Sequence, residues 1–196
     1  MHTQRAAQPA GDEETADWSD RRADARRNHE RIVAAAFQVF AERGLEATIP
    51  EIAARAGVGK ATVYRSYPAK TDLVDAVIRR RFGQIEERVR TALAEPDADE
   101  ALARLVPDIF EAMAANRLLA EVMYEQPHTG RSRVGELLGT LLDAAKVHGR
   151  IRPDATIADL SVLAGGSARQ LARMRITDPA AWRRYGELVV TAFRRS

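Results

Sequence analysis

The chain has 196 residues, a formal net charge of +2 and no cysteine. Disulfides, thiolate metal sites and cysteine nucleophiles are thereby excluded, as is a general polyanion sponge, so any affinity for nucleic acid must come from how charge is distributed. The length suits one large domain or two small ones, a reducing cytoplasmic setting is compatible with the composition, and no run of about 20 apolar residues is present to span a membrane.

Residues 1–22 are polar and aperiodic and read as a disordered arm, with Trp18 loose within it. They lack the apolar stretch of a signal peptide. From about Arg22 the pattern turns helical. Ile32, Val33, Ala36, Phe37 and Phe40 recur at the spacing of one buried stripe, and Gly44 closes the helix. Thr48-Ile49-Pro50-Glu51 is a helix start with a capping box. The helix Ile49–Ala56 that follows is short, Gly57 interrupts it, and a second short helix runs from near Lys60 to before Pro68. A long pattern then runs from Lys70 through Leu73, Val77, Ile78, Phe82, Ile85, Val89 and Leu93, stopping before Pro96. Further amphipathic segments are expected near 99–115, 117–125, 131–148, 156–173 and 179–195, with Pro107 kinking or delaying the first. Strand-like alternation is missing. The expectation is an all-α chain of about nine helices, divided near residue 72 within the long helix.

Two short helices joined by a glycine turn suggest a helix-turn-helix. Ala53 suits a close helix crossing, Gly57 a permissive turn, and Val58 and Val63 plug a core beside Ile52 and Ala56. With Val63 inward, most other side chains of Lys60–Tyr67 face out, and they suit a DNA major groove and its phosphate walls. Lys60 and Lys70 offer point charges, Thr62, Tyr64 and Tyr67 hydroxyls, and Arg65 a fork for a guanine edge or a phosphate. No acid falls between Ile52 and Thr71, while Arg55, Lys60, Arg65 and Lys70 are basic. Thr48 is either a plain cap or a phosphate contact at a helix N-terminus. Tyr67, just before Pro68, either reaches DNA or fills the domain core.

The stretch AAAFQVFAERGLEATIPEIAARAGVGKATVYRSYPAKTDLVDAVI resembles the N-terminal region of the TetR family, the tetracycline-repressor-like bacterial regulators. The resemblance covers about residues 28–80. It implies a dimeric, ligand-responsive regulator, most often a repressor, with no cofactor and no catalytic residue. In that reading residues 23–71 form the DNA-binding domain and 72–196 a helical ligand-binding and dimerisation domain. The recognition helix is Lys60–Ser66, and Thr48, Lys60, Thr62, Tyr64, Arg65, Tyr67 and Lys70 carry the DNA contacts. Three positions depart from the family pattern: Gly59 where a capping serine is common, Ser66 where an aromatic or His is frequent, and Pro50 where a polar residue is usual.

The last two segments are candidates for a dimer interface, through Leu160, Leu163, Gly165, Gly166 and Leu171 on one and Trp182, Tyr185, Val189 and Phe193 on the other. Gly165-Gly166 marks either a close helix approach or a break. Phe110, Met113, Leu118, Met123, Tyr124, Leu138 and Leu142 line an effector pocket or are plain core. His128 and His148 lack partners at metal spacing, so no metal site is expected. The sequence has no Gly-rich phosphate loop, no paired carboxylates in an apolar setting, no Ser with a plausible His partner and no metal spacing, so an enzyme is not expected. A helical protein adaptor would have no use for the acid-free basic window.

Overall fold

A computed structural model describes residues 12–114, 129–147 and 149–195, with backbone alone at 12–22 and 129–132. The first helix, α1, spans Asp12–Arg43. It starts ten residues earlier than the sequence pattern indicates, so the expected disordered arm is helical from Asp12 onward. Asp12, Glu13 and Glu14 supply negative charge at its positive N-terminal end, which favours that start without apolar periodicity. The buried stripe begins at Ile32 and runs through Val33, Ala36, Val39 and Phe40. A 3-10 turn, Gly44–Glu46, follows, entered by Gly44 at φ +57°.

Next come α2, Ile49–Ala56, and α3, Lys60–Ser66. The long helix α4, Lys70–Leu93, buries Leu73, Val77, Ile78, Phe82, Ile85 and Val89, as the periodicity requires. It packs on α1 at one end and, at the other, on α5, Ala98–Ala114, and α6, Thr129–Val147. Helix α5 starts at Ala98 and continues through Pro107, so the proline does not delay it. The segment expected near 117–125 lies outside the described residues.

Helix α7, Ile157–Arg173, is capped by Thr156, whose hydroxyl accepts from the Asp159 amide at 3.1 Å while Asp159 Oδ2 accepts from the Thr156 amide at 3.0 Å. It continues unbroken through Gly165 and Gly166. Helix α8, Pro179–Thr191, is capped by Asp178 and lies against α5. The crossing is close because Gly186 has no side chain: a Cβ there would sit 2.6 Å from Pro107 Cα. Trp182, fully buried, donates from Nε1 to the Ile176 carbonyl at 2.7 Å.

Among the described residues the only extended pairing is an isolated antiparallel bridge between Ile151 and Arg194. Eight α-helices and one 3-10 turn make the described architecture all-α. No helix among those residues is long and apolar enough to cross a membrane.

Candidate nucleic-acid interface

The α2–α3 turn is built on Gly57, at φ +64° and ψ +38°. That left-handed conformation lets the amides of Gly57 and Val58 turn back to carbonyls of α2, Gly57 to Ala54 at 3.2 Å and Val58 to Ala53 at 3.0 Å. Arg31 of α1 braces the turn from outside: its Nη2 donates to the Ala56 carbonyl at 2.7 Å and to that of Gly57 at 3.2 Å. Nothing in the sequence marks Arg31 for this role except its place just before the buried stripe.

Helix α3 follows with only Val63 buried. Lys60, Tyr64, Arg65 and Ser66 are exposed and Thr62 is half-buried. Among the described residues, the side chains of Lys60, Tyr64 and Arg65 have no hydrogen-bond or ion-pair partner. The Ser66 hydroxyl turns back to the Thr62 carbonyl at 3.3 Å. The helix start at Gly59 has no side-chain cap.

Tyr67 departs from its expected role as a DNA contact. It is only 5% exposed, its ring stacks on His29 of α1 with centroids 5.6 Å apart, and its hydroxyl lies 2.8 Å from His29 Nδ1. Burial pushes the phenol above its usual range. The residue before Pro68 leaves the helix in an extended conformation, which turns this side chain under the unit rather than out of it.

Arg55 belongs to the basic window in sequence only. It forms a two-pronged pair with Glu42 of α1, at 3.1 and 3.2 Å. The Glu42 carboxylate raises the guanidinium pKa, and Arg55 lowers that of Glu42. Thr48 is exposed and caps α2. Its amide and hydroxyl both donate to Glu51 Oε2, at 2.9 and 2.8 Å. Those two bonds hold the Glu51 carboxyl below the usual carboxylate range, and they point the Thr48 proton away from solvent. A phosphate, which only accepts, is therefore met by Thr48 only after its hydroxyl turns. The Lys70 ammonium donates to the Leu45 carbonyl, which fixes the loop before α2 to the start of α4.

Farther along the molecule, α4, α5, α6 and α7 line a partly open cavity of about 120 Å³. Phe110, Met113 and Leu138 line it, with Phe82, Ile85 and Leu160. Leu142 does not: it is buried elsewhere in the core. Leu118, Met123 and Tyr124 lie outside the described residues. Among the described residues no group of three or more His, Asp or Glu side chains comes together to hold a metal ion.

The stripe assigned to a dimer contact is mostly internal. Leu160, Leu171, Trp182, Val189 and Phe193 are all 5% exposed or less, and Gly165 is buried against the cavity. They face α5 and the chain's own core, where Phe110 and Trp182 meet with ring centroids 6.4 Å apart. Leu163 and Tyr185 are exposed, each at 39%, beside Val162 at 71% and Leu188 at 51%. Gly166 faces open space.

This arrangement matches known proteins at two levels. The family model for bacterial regulatory proteins of the tetR family matches residues 32–77, the span from the buried stripe of α1 into α4. Over the larger part of the molecule, the crystal structure of a TetR transcription regulatory protein from Mycobacterium vanbaalenii is 32% identical, covering 89% of this chain and 99% of that one, with a TM-score of 0.63. The chain belongs to the tetR family. Among tetR-family sequences, the HTH-type transcriptional repressor KstR of Mycolicibacterium smegmatis is 32% identical over 124 residues, 61% of each chain. The fatty acid metabolism regulator protein of Bacillus subtilis is 32% identical over 93 residues, 46% of this chain and 48% of that protein. The chain thus spans about half to three-fifths of the length of these two relatives.

Proposed function

We propose that the protein is a dimeric transcriptional repressor that grips a near-palindromic operator through α3 and releases it when a small molecule enters the cavity. The observation that carries the reading is the outward face of α3. Lys60, Tyr64 and Arg65 are exposed and unengaged there, while Val63 anchors the helix from behind. Side chains of these types meet phosphates and base edges when a helix lies in the major groove. Two copies related by a two-fold axis would address half-sites about 34–36 Å apart.

The second copy is best accommodated on the exposed apolar face of α7 and α8, formed by Val162, Leu163, Tyr185 and Leu188. Gly166, with open space in front of it, allows a partner helix to approach closely. Helix α4 joins the two functions: its first half packs on α1 and its second half supplies Phe82 and Ile85 to the cavity. A ligand that displaces α4 changes the separation of the two α3 helices. A near-complete switch requires the ligand to favour the released state by roughly 5.5 kcal/mol.

The test is a footprint on the DNA flanking the gene, with binding measured against salt. Protection of an inverted repeat by a dimer supports the reading. Retention that is equal for all sequences, or a protein that stays monomeric at footprinting concentrations, refutes it.

A further inference from the structure

We infer that the effector is a small neutral molecule of about one aromatic ring, carrying a single hydroxyl or carbonyl, rather than an anion or a long acyl chain. The inference rests on the reading of the cavity as the effector site.

Size sets the first bound. The cavity measures about 120 Å³. Pockets for drug-sized ligands run from about 300 to 1,000 Å³, whereas an apolar hole of about 150 Å³ holds benzene. The cavity therefore fits a single ring without rearrangement.

Its walls set the second bound. Phe82, Ile85, Phe110, Met113 and Leu160 are all buried and apolar. No charged side chain lines the cavity among the described residues. The charged neighbours on α4, Arg81 and Glu86, do not line the cavity, although Arg81 Nε is buried without a partner among the described residues. Arg81 donates to Gln84 at 3.0 Å and to the Ala112 carbonyl at 3.5 Å, and Glu86 accepts from Arg90 at 2.5 Å and Arg133 at 2.8 Å. An anionic ligand would surrender hydration and meet no cation among the described lining residues. Among the described residues Ser161 is the one hydroxyl side chain on the wall, and it is exposed. A single polar atom on the ligand, pointed at that rim, has a partner; a second would have none among the described lining side chains.

The experiment uses the full chain with four probes: toluene, benzyl alcohol, benzoate and octanoate. Thermal unfolding and operator retention are read for wild type, Ser161→Ala and Gly135→Leu. Gly135 lines the cavity, and a Cβ there meets nothing within 4 Å, so leucine occupies free space instead of straining the helix. At a hundredfold excess over Kd, benzyl alcohol should raise Tm by about 5–10 °C and lower operator retention. Benzoate and octanoate should do neither. Ser161→Ala should cut the preference for benzyl alcohol over toluene by about fivefold, and Gly135→Leu should abolish the response. An equal response to either anion, a response that survives Gly135→Leu, or no response to any probe overturns the inference. Loss of operator retention in the ligand-free wild type would instead refute the regulatory reading, whatever the Tm shifts.

Discussion

Arg55 and Arg65 sit ten residues apart in the same acid-free window, yet the fold gives them opposite predicted roles. Arg55 is neutralised by Glu42 through two contacts near 3 Å, while Arg65 has no partner among the described residues. Each phosphate neutralised by a free cation contributes about 0.9 to the slope of log K against log salt. Arg65→Ala in a dimer removes two such cations and should flatten the slope by about 1.8. Across a fourfold rise in salt, from about 50 to 200 mM, that makes the loss of affinity about twelvefold smaller than in wild type. Arg55→Ala should leave the slope where it was, because its charge is already balanced inside the protein. Fluorescence anisotropy on a labelled duplex, titrated at five salt concentrations for the three proteins, measures both. Equal flattening by the two variants, or an unchanged slope in Arg65→Ala, would refute the reasoning.

Three further outcomes are expected. Gly186→Ala drives a methyl to 2.6 Å from Pro107 Cα, and a backbone neighbour cannot rotate away; overpacking of this kind costs about 1–3 kcal/mol, so Tm should fall by several degrees in calorimetry. Tyr67→Phe removes the 2.8 Å bond to His29 and should lower Tm by about 2–4 °C with operator affinity nearly unchanged; the reverse pattern would put the hydroxyl on DNA. The Asp159 carboxyl is held below its usual range first by the Thr156 hydroxyl and then by the Thr156 amide. A depressed folded pKa gives stability that is present above about pH 4 and is lost as pH falls through the lowered value. Asp159→Asn should therefore lower Tm at neutral pH, where that contribution is full, and the two Tm curves should converge as pH falls below the lowered value, giving the variant a flatter acid limb in calorimetry.

The sequence was most legible where a residue's role is decided within a few positions of it. Thr48 and Glu51 announce a helix start, Gly57 a left-handed turn and Val63 an inward position, and the structure has each of them there. Legibility failed where the deciding partner is distant in the chain. Arg55 looks free until Glu42 is brought alongside, and Tyr67 looks available until His29 stacks on it. The stripe through Leu160, Trp182 and Phe193 shows the same limit. Apolar periodicity says that a face is covered, but not whether α5 of the same chain or a second copy covers it. Asp12–Asp20 failed for a different reason. That stretch carries no apolar period, so its sequence signal is only the run of acids at its start.

Helix α4 has one more consequence, for anyone who would recombine this protein. It is a single uninterrupted rod that starts at Lys70, two residues before the boundary that composition suggests near residue 72, and ends at Leu93. Each residue along such a rod advances the azimuth by about 100°. A chimaera joined within it must conserve the residue count, since inserting or deleting one amino acid would swing the α2–α3 unit by about 100° relative to the rest of the chain. A seven-residue insertion, nearly two whole turns, would restore the azimuth and move that unit outward by about 10 Å.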